Sequence, residues 1–326
     1  MNSGKYIARI LSTTGKGRLA IAAAFLIILF APGHVVFSQR FSEWSAPLNL
    51  GQVVNSTGFD GCPSLTKDGL SLLFMSNVGS TAQNMYVSHR ERQHPDSPWS
   101  APLSLGAVLN TASFSEICPT LTISGRYLYF ASDRPGGCGN FDIYVSRRAS
   151  KESWTEWDEP VNLGCEVNSA GPEFSPSLFE AEDGTVELYF SSGLRPGGLG
   201  FGDIWMSRLQ ADGSFGPAEP VVALNTPSND IRPKIRARDG LEIFFDSNRP
   251  GTIGLQDIYT STRECLSCPW SVPVNLGAPV NAVVVDGGAA LSFDATELYF
   301  MSNRPGGSGD QDIWVARREK LTGKPE

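Results

Sequence analysis

The sequence predicts an all-β protein, a five-bladed β-propeller with four antiparallel strands in each blade. One pattern recurs five times, and the aromatic residue of its third strand falls at Tyr86, Tyr144, Trp205, Tyr259 and Trp314. A repeat of this length that is rich in strand-forming residues is typical of propellers and solenoids. The 34 Gly and 22 Pro residues also fit many turns and few helices.

Each repeat supplies the four strand-like segments of one blade. In the clearest copy the first three segments are PTLT, YLYFAS and DIYVSRR, within residues 119–148. The fourth is a W-x-x-P segment, WDEPVNLG, which begins at Trp157. The W-x-x-P segments alternate apolar and polar residues beyond their Pro, as a half-buried or edge strand does. Four short antiparallel strands form one propeller blade.

The two ends of the repeat region predict how the ring closes. The region begins near Trp44 with a lone fourth strand and stops near Arg318 after only three strands of the last unit. We therefore expect the N-terminal strand to complete the C-terminal blade, which leaves no unpaired inner sheet edge. An open solenoid would need polar caps at both ends, and the sequence offers none.

Three parts of the chain are predicted: residues 1–38 as a signal peptide or N-terminal membrane anchor, 41–318 as the propeller, and 319–326 as a flexible tail. Four basic residues precede an apolar run from Leu19 to Ala31, which is shorter than the ~20 residues that span a bilayer. Either the segment is a signal peptide that is cleaved before Gln39, or it stays uncleaved and residues 19–31 anchor the chain in the membrane. Either one predicts export, to the periplasm or the cell exterior.

Charge narrows the predicted partners. Residues 1–38 carry four basic and no acidic residues, so the rest holds 22 Lys and Arg against 34 Asp and Glu, a net charge of −12. Such a surface excludes nucleic acid as an expected partner. We expect an envelope protein or a carbohydrate as partner, a monomeric state, and membrane contact only through an uncleaved N-terminal segment.

Five acidic residues are the main candidate site, because each begins the first, innermost strand of a blade. They should circle one mouth of the central channel, and they are Asp60, Glu116, Glu173, Asp230 and Asp286. Like charges in a ring need compensation. In one reading the ring binds a cation, with calcium possible, or a polar ligand. In the other reading each acid pairs internally with backbone amides and with an arginine of the R-P-G loops; these arginines are Arg134, Arg195, Arg249 and Arg304. The first repeat lacks that arginine, which leaves Asp60 the least compensated.

The fourth repeat departs most from the others. Arg232 stands where the other first strands carry Cys or a small residue, and Lys234 stands where they carry Ser, Thr or Ala. These two cations either bind an anionic ligand at the channel mouth or neutralise the acidic ring.

Two further sets of residues are interpreted as structural or left open. The Asp of each Asp-Ile pair follows a Gly-rich loop and is expected to accept amides of that loop, with a calcium loop as the alternative; these are Asp142, Asp203, Asp257 and Asp312. Cys265 and Cys268 form either a small loop disulfide or two free thiols. Cys138 and Cys165 should share one face, where a disulfide is possible.

Two copies of the repeat, SEICPTLTISGRYLYFASDRPGGCGNFDIYVSRR and GGAALSFDATELYFMSNRPGGSGDQDIWVARR, carry a resemblance. They resemble the WD40-like β-propeller repeat of TolB-type envelope proteins, over residues 41–318. The resemblance implies a propeller fold, an exported bacterial protein and a binding role. TolB itself has six blades and an additional N-terminal domain, and neither fits this chain.

The function expected from the sequence is a non-catalytic, exported binding or scaffold module of the cell envelope, which presents an acidic central ring to a protein or a small polar ligand. Beyond residue 38 only His89 and His94 remain, which is too few for a histidine triad or a multi-histidine metal centre. The alternative is a glycoside hydrolase with carboxylates at the central funnel. That chemistry needs an acid and a base about 5–9.5 Å apart in different environments; Asp60, Glu173 and Asp230 are its first candidates.

Overall fold

The computed structural model describes residues 41–321 as an all-β, five-bladed propeller, which confirms the predicted fold. The predicted signal or anchor (residues 1–38) and residues 322–326 of the predicted tail lie outside the described residues. Between residues 41 and 321 no helix is long and apolar enough to cross a membrane.

The twenty strands fall into five antiparallel sheets of four. The N-terminal strand is β1 (Leu48–Asn49). Blade 1 contains β2 (Asp60–Leu65), β3 (Ser71–Ser76), β4 (Asn84–His89) and β5 (Leu103–Ser104). Blade 2 contains β6 (Glu116–Leu121), β7 (Tyr127–Ser132), β8 (Asp142–Arg147) and β9 (Val161–Asn162). Blade 3 contains β10 (Glu173–Glu180), β11 (Val186–Gly193), β12 (Gly202–Arg208) and β13 (Glu219–Pro220). Blade 4 contains β14 (Asp230–Ile235), β15 (Glu242–Ser247), β16 (Asp257–Thr262) and β17 (Val274–Asn275). Blade 5 contains β18 (Asp286–Leu291), β19 (Glu297–Ser302) and β20 (Asp312–Arg317).

The core lies between neighbouring blades. Apolar side chains on both faces of each second strand are buried, since every blade is covered on two sides; Leu72 and Leu73 of β3 are both fully buried. Between blades 1 and 2, Leu73 and Val87 pack in one cluster with Leu128 and Phe130. Burying an aliphatic or aromatic side chain of this size stabilises the fold by about 1.5–3 kcal/mol, so these interfaces hold the ring together.

Ring closure follows the predicted route. Strand β1 pairs antiparallel with β20, with Leu48 opposite Val315 and Asn49 opposite Trp314. Phe41 forms a further bridge with Lys320. The five first strands contact one another in the order β2, β6, β10, β14, β18 and back to β2. They line the central channel and set the position of every residue discussed below.

Each first strand carries a β-bulge at its second or third residue, where the register to the second strand shifts. The bulged residue has a positive φ of 48° to 58° in every blade. Only glycine adopts this conformation at no steric cost, yet just one blade uses it. These bulge residues are Cys62, Cys118, Ser175, Arg232 and Gly288.

Candidate functional site

The acid-side mouth is the end of the channel where the five first strands begin with their acidic residues. In blades 2 to 5 the acid pairs with the arginine of its own R-P-G loop, at N–O distances between 2.5 and 3.9 Å. The loop connecting fourth and first strands adds backbone amides, as in the bond from Ser169 N to Glu173 at 2.7 Å. All five acidic side chains are buried. The structure therefore provides internal pairing for four of the five acids.

Asp60 of blade 1 differs from the other four acids. Ser56 donates to its Oδ2 from the backbone amide at 2.6 Å and from the hydroxyl at 2.9 Å. Its Oδ1 is buried and accepts no hydrogen bond of normal geometry within residues 41–321, although the Ser76 hydroxyl lies near the carboxylate. Burial raises the pKa of Asp60, and the hydrogen bonds from serine hydroxyls and amide oppose that rise only in part. Asp60 is thus the least compensated acid of the ring.

Blade 4 places an ion pair in the channel wall that the sequence analysis missed. Arg232 Nε lies 2.5 Å from Asp246 Oδ2, and Gly288 N donates to Asp246 Oδ1 at 2.8 Å. Arg232 therefore compensates Asp246 rather than a member of the acidic ring. The Asp246 side chain is fully buried, and burial raises its pKa to about 6 although Arg232 lowers it. The sequence did carry a sign of this pair: Asp246 stands at a position where the second strands of the other repeats have Met, Ala or Ser.

Two glutamines extend this polar region toward blade 1. Arg232 Nη2 donates to Gln256 Oε1 at 3.4 Å, and the backbone oxygen of Gln311 accepts from Asp60 N at 2.8 Å. Gln256 Nε2 and Gln311 Oε1 are buried without a partner among the described residues. Together with Asp60 Oδ1, they leave one donor and two acceptors unsatisfied around blades 4, 5 and 1. Buried polar atoms of this kind cost free energy unless something binds them.

Lys234 does not join the acid-side mouth. It lies four residues further along β14 than Asp230, and its Nζ donates to Thr120 Oγ1 at 2.8 Å, across the channel in blade 2. Burial lowers its pKa to about 7. The two cations of blade 4 therefore occupy different levels of the channel: Arg232 near the acids and Lys234 near the opposite end.

The Asp of each Asp-Ile pair accepts hydrogen bonds from amides of its Gly-rich loop, as expected. Asp203, for example, accepts from Leu199 N at 2.8 Å and Gly200 N at 3.1 Å. Asp257 accepts from Ile253 N at 2.6 Å and from Gly254 N at 3.1 Å. No group of three or more His, Cys, Asp or Glu side chains within residues 41–321 is arranged to hold a metal ion.

All six cysteines are paired. Cys138–Cys165 and Cys265–Cys268 form the two disulfides that the sequence analysis considered. The third, Cys62–Cys118, was not foreseen, and it joins the bulge residues of blades 1 and 2 inside the channel. Ser175 Oγ of the next blade donates to Cys118 Sγ at 3.1 Å.

No protein-family model matches this chain, and no curated protein sequence does. Several solved structures do match this chain in fold. An α-L-arabinofuranosidase from Lactobacillus brevis is 13% identical with a TM-score of 0.55, over 79% of this chain and 90% of that one. A GH62 α-L-arabinofuranosidase catalytic domain from Coprinopsis cinerea is 12% identical with a TM-score of 0.55, over 86% and 97%. Arabinanase Arb43A from Bacillus subtilis is 13% identical with a TM-score of 0.55, over 82% and 96%.

At these identities the likeness shows a shared fold. The finer resemblance to TolB-type repeats is not confirmed by these comparisons. These comparisons contradict the expected non-catalytic binding module, and with it the preference for a non-enzyme over an enzyme. Several of the similar propellers are glycoside hydrolases, the class named as the alternative in the sequence analysis. The sequence analysis marked Asp60 as the least compensated acid but did not consider Asp246, which lies on a second strand outside the ring of five acids.

Proposed function

We propose that this protein is a glycoside hydrolase whose active site lies at the acid-side mouth, between blades 4, 5 and 1. One observation carries the proposal: two carboxylates near this mouth lie in environments unlike each other, since Asp60 has no arginine partner whereas Asp246 is paired with Arg232 and the Gly288 amide. Glycoside hydrolysis needs two carboxyl groups with separate roles, and different environments separate their protonation states. The fold shared with arabinofuranosidases and an arabinanase supports the same function.

Asp246 is the proposed general acid. A pKa of about 6 keeps a substantial fraction of the carboxyl protonated in mildly acidic solution. Its proton passes to the glycosidic oxygen as the bond from that oxygen to the anomeric carbon breaks. The carboxylate that results is stabilised by the Arg232 guanidinium and the Gly288 amide, which already bind it.

Asp60 is the proposed partner carboxylate. It faces the positive charge that develops on the sugar ring, and it either removes a proton from the attacking water or attacks the anomeric carbon itself. The anomer of the first product distinguishes these two routes. Because the Asp246 carboxylate is buried against the partly exposed Arg232, a sugar oxygen reaches it only if that guanidinium shifts.

The unsatisfied polar atoms support sugar recognition at the same place. Gln256 Nε2 can donate to a hydroxyl, while Gln311 Oε1 and Asp60 Oδ1 can accept from hydroxyls. A pentose or hexose offers hydroxyls that both donate and accept. A neutral sugar also suits an acidic surface, which would repel an anionic polymer.

Export remains part of the proposal. The three disulfides support an oxidising compartment, the periplasm or the cell exterior. The kinship with TolB-type repeats is supported only by the quoted sequence motifs, and we propose no Tol-system role.

Hydrolysis of 4-nitrophenyl α-L-arabinofuranoside, 4-nitrophenyl β-D-xyloside and linear arabinan tests the proposal. We expect Asp246→Asn to reduce kcat by about 10²–10⁴-fold on arabinan. The loss should be smaller on the aryl glycosides, because nitrophenolate leaves without a proton. Asp60→Asn should reduce kcat on arabinan and kcat on the aryl glycosides to a similar degree.

Glu180→Gln serves as the matched control, since Glu180 belongs to a first strand but lines the other end of the channel. It should retain full activity. Absence of turnover by the wild-type protein on all three substrates, or unchanged rates in both aspartate variants, would refute the proposal.

A further inference from the structure

The turn-side mouth is the end of the channel opposite the acids, where the turns between first and second strands lie. It contains a cavity of about 70 Å³ whose lining includes Lys234, Ser64, Thr120 and Ser177. These four residues occupy the same position in the first strands of four blades. In blade 5 the equivalent residue is Ala290. The side chains at this position are therefore short in blades 1, 2, 3 and 5, and the long side chain of Lys234 enters the space that they leave.

Lys234 is the only charged member of that ring of equivalent positions, and it is unpaired. Its Nζ has three N–H donors, and the structure gives one acceptor, Thr120 Oγ1. No carboxylate within residues 41–321 lies within 4.0 Å of this nitrogen. Glu180 lines the same cavity, but its Oε2 accepts from Ile123 N at 2.6 Å.

A buried ammonium without a counter-ion is costly, and the burial of Lys234 accordingly lowers its pKa to about 7. An anion that enters the cavity would pair with the ammonium and use its two remaining N–H groups. The hydroxyl of Ser177 accepts from Ile235 N at 3.0 Å, which leaves its own proton to donate. Lys234 of blade 4 and Ser177 of blade 3 thus direct donors at one small volume, whereas the Thr120 hydroxyl donates to Pro176 O.

The walls of the cavity are apolar above this polar floor. Leu65, Leu121 and Leu291 come from three different blades and line both this cavity and a narrow one of about 40 Å³ beside it. Lys67 and Phe293 line the narrow cavity and also an open basin of about 650 Å³. The shared lining residues indicate a continuous path from solvent to Lys234.

The charge of this path favours anions, against the net charge of the chain. Lys67 lies with its Nζ 4.9 Å from the centre of the Phe293 ring. Lys67, Arg148 and Lys151 line the basin against one carboxylate, that of Asp68. Cations at the rim of a depression raise the local concentration of anions. Aromatic and leucine side chains beside them select an anion with an apolar body over a fully hydrated one such as phosphate.

We propose that the turn-side mouth binds a small monocarboxylate, with the carboxylate paired to Lys234 and a short aliphatic body between the leucines. The cavity volume corresponds roughly to two waters of liquid, which suits a carboxylate head group. This site is separate from the acid-side mouth and does not depend on the proposed hydrolase activity.

Calorimetric titration of the full chain with acetate, propionate and butyrate tests this site. We expect millimolar affinity that increases with chain length, no binding of acetamide, and at least a tenfold loss in Lys234→Met. That variant keeps the length and apolar stem of the side chain, so its fold can be verified by circular dichroism. Lys67→Met, at the rim, should weaken binding by no more than threefold.

Lysine acetylation by acetic anhydride, read by mass spectrometry, gives a second measurement on the wild-type protein. Butyrate should protect Lys234 and leave Lys151 unprotected. Equal binding by the Lys234→Met variant, tighter binding of phosphate than of butyrate, or failure of all three carboxylates to bind would each overturn the proposal. The acetylation experiment stays decisive if the variant fails to fold.

Discussion

Substituting Arg90 by methionine should destabilise the ring where blade 5 meets blade 1. Arg90 Nη2 lies 2.5 Å from Glu297 Oε2, and the two side chains are 1% and 5% exposed. Arg90 also donates from Nε to Gly69 O at 2.8 Å and from Nη1 to Tyr299 Oη at 3.2 Å. The guanidinium therefore connects a turn of blade 1 with the second strand of blade 5.

The expected loss follows from the burial of this pair. Removing one partner of a buried ion pair costs about 3–5 kcal/mol, because the other charge stays buried without compensation. Arg317 lies 3.2 Å from Glu297 and is 22% exposed, so it offsets part of that cost. Methionine retains apolar contact with the Trp99 ring, over which the guanidinium lies at 4.6 Å. We expect the free energy of unfolding to fall by about 3 kcal/mol.

Urea denaturation measures this loss, and Arg263→Met is the matched control. Arg263 Nη2 lies 2.8 Å from Glu187 Oε2 between blades 4 and 3, with side chains 3% and 4% exposed. Arg263→Met should lower the free energy of unfolding by a similar amount. Only Arg90→Met should speed hydrogen exchange at Val315, which pairs with β1. The reasoning fails if Arg90→Met costs less than about 1 kcal/mol, a value typical of exposed pairs, or if both variants speed exchange at Val315 equally.

Three further predictions concern stability. The pKa of Lys234 is about 7 in the folded chain and 10.5 for a free side chain, so between these pH values the unfolded chain holds a proton that the folded chain has lost. The free energy of unfolding should therefore rise from pH 7 to 10 by roughly 3–4 kcal/mol more in the wild type than in Lys234→Met. Urea denaturation measures this rise, and equal slopes against pH in the two proteins would contradict the prediction. Asp286→Asn breaks an arginine pair and should cost about 2–4 kcal/mol, whereas Asp60→Asn should cost less than about 1 kcal/mol; the reverse order in thermal melts would be incompatible with the assigned pairing. Cys138→Ser should lower the unfolding free energy by about 3 kcal/mol, since the disulfide to Cys165 closes a loop with a sequence separation of 27. The difference should disappear when both proteins are measured in dithiothreitol, which reduces all three disulfides in each.

The sequence alone determined the blade. Hydrogen bonding within a blade is local, so short segments of strand-forming residues such as YLYFAS, with turns between them, specified the strands and their order. The register shift at the bulge of each first strand was not predicted. Closure by β1 could be predicted because the count of strands at the two ends admits one pairing that leaves no edge exposed. The arginine pairing of the acids was one of two stated alternatives, and it follows from residues 18 to 22 positions apart in one repeat.

Only the tertiary structure decided the contacts across the channel. The bond from Lys234 to Thr120 joins residues 114 positions apart, and Cys62–Cys118 joins residues 56 apart. Their approach depends on the radius of the closed ring and on the direction each bulge gives its side chain, and neither is written in a repeat pattern. Asp246 was missed for a different reason: it faces Arg232 within one blade, 14 positions away, and no repeat motif marks that pair. The sequence already distinguished Asp60 by its missing arginine, whereas the contacts between blades had to come from the closed ring.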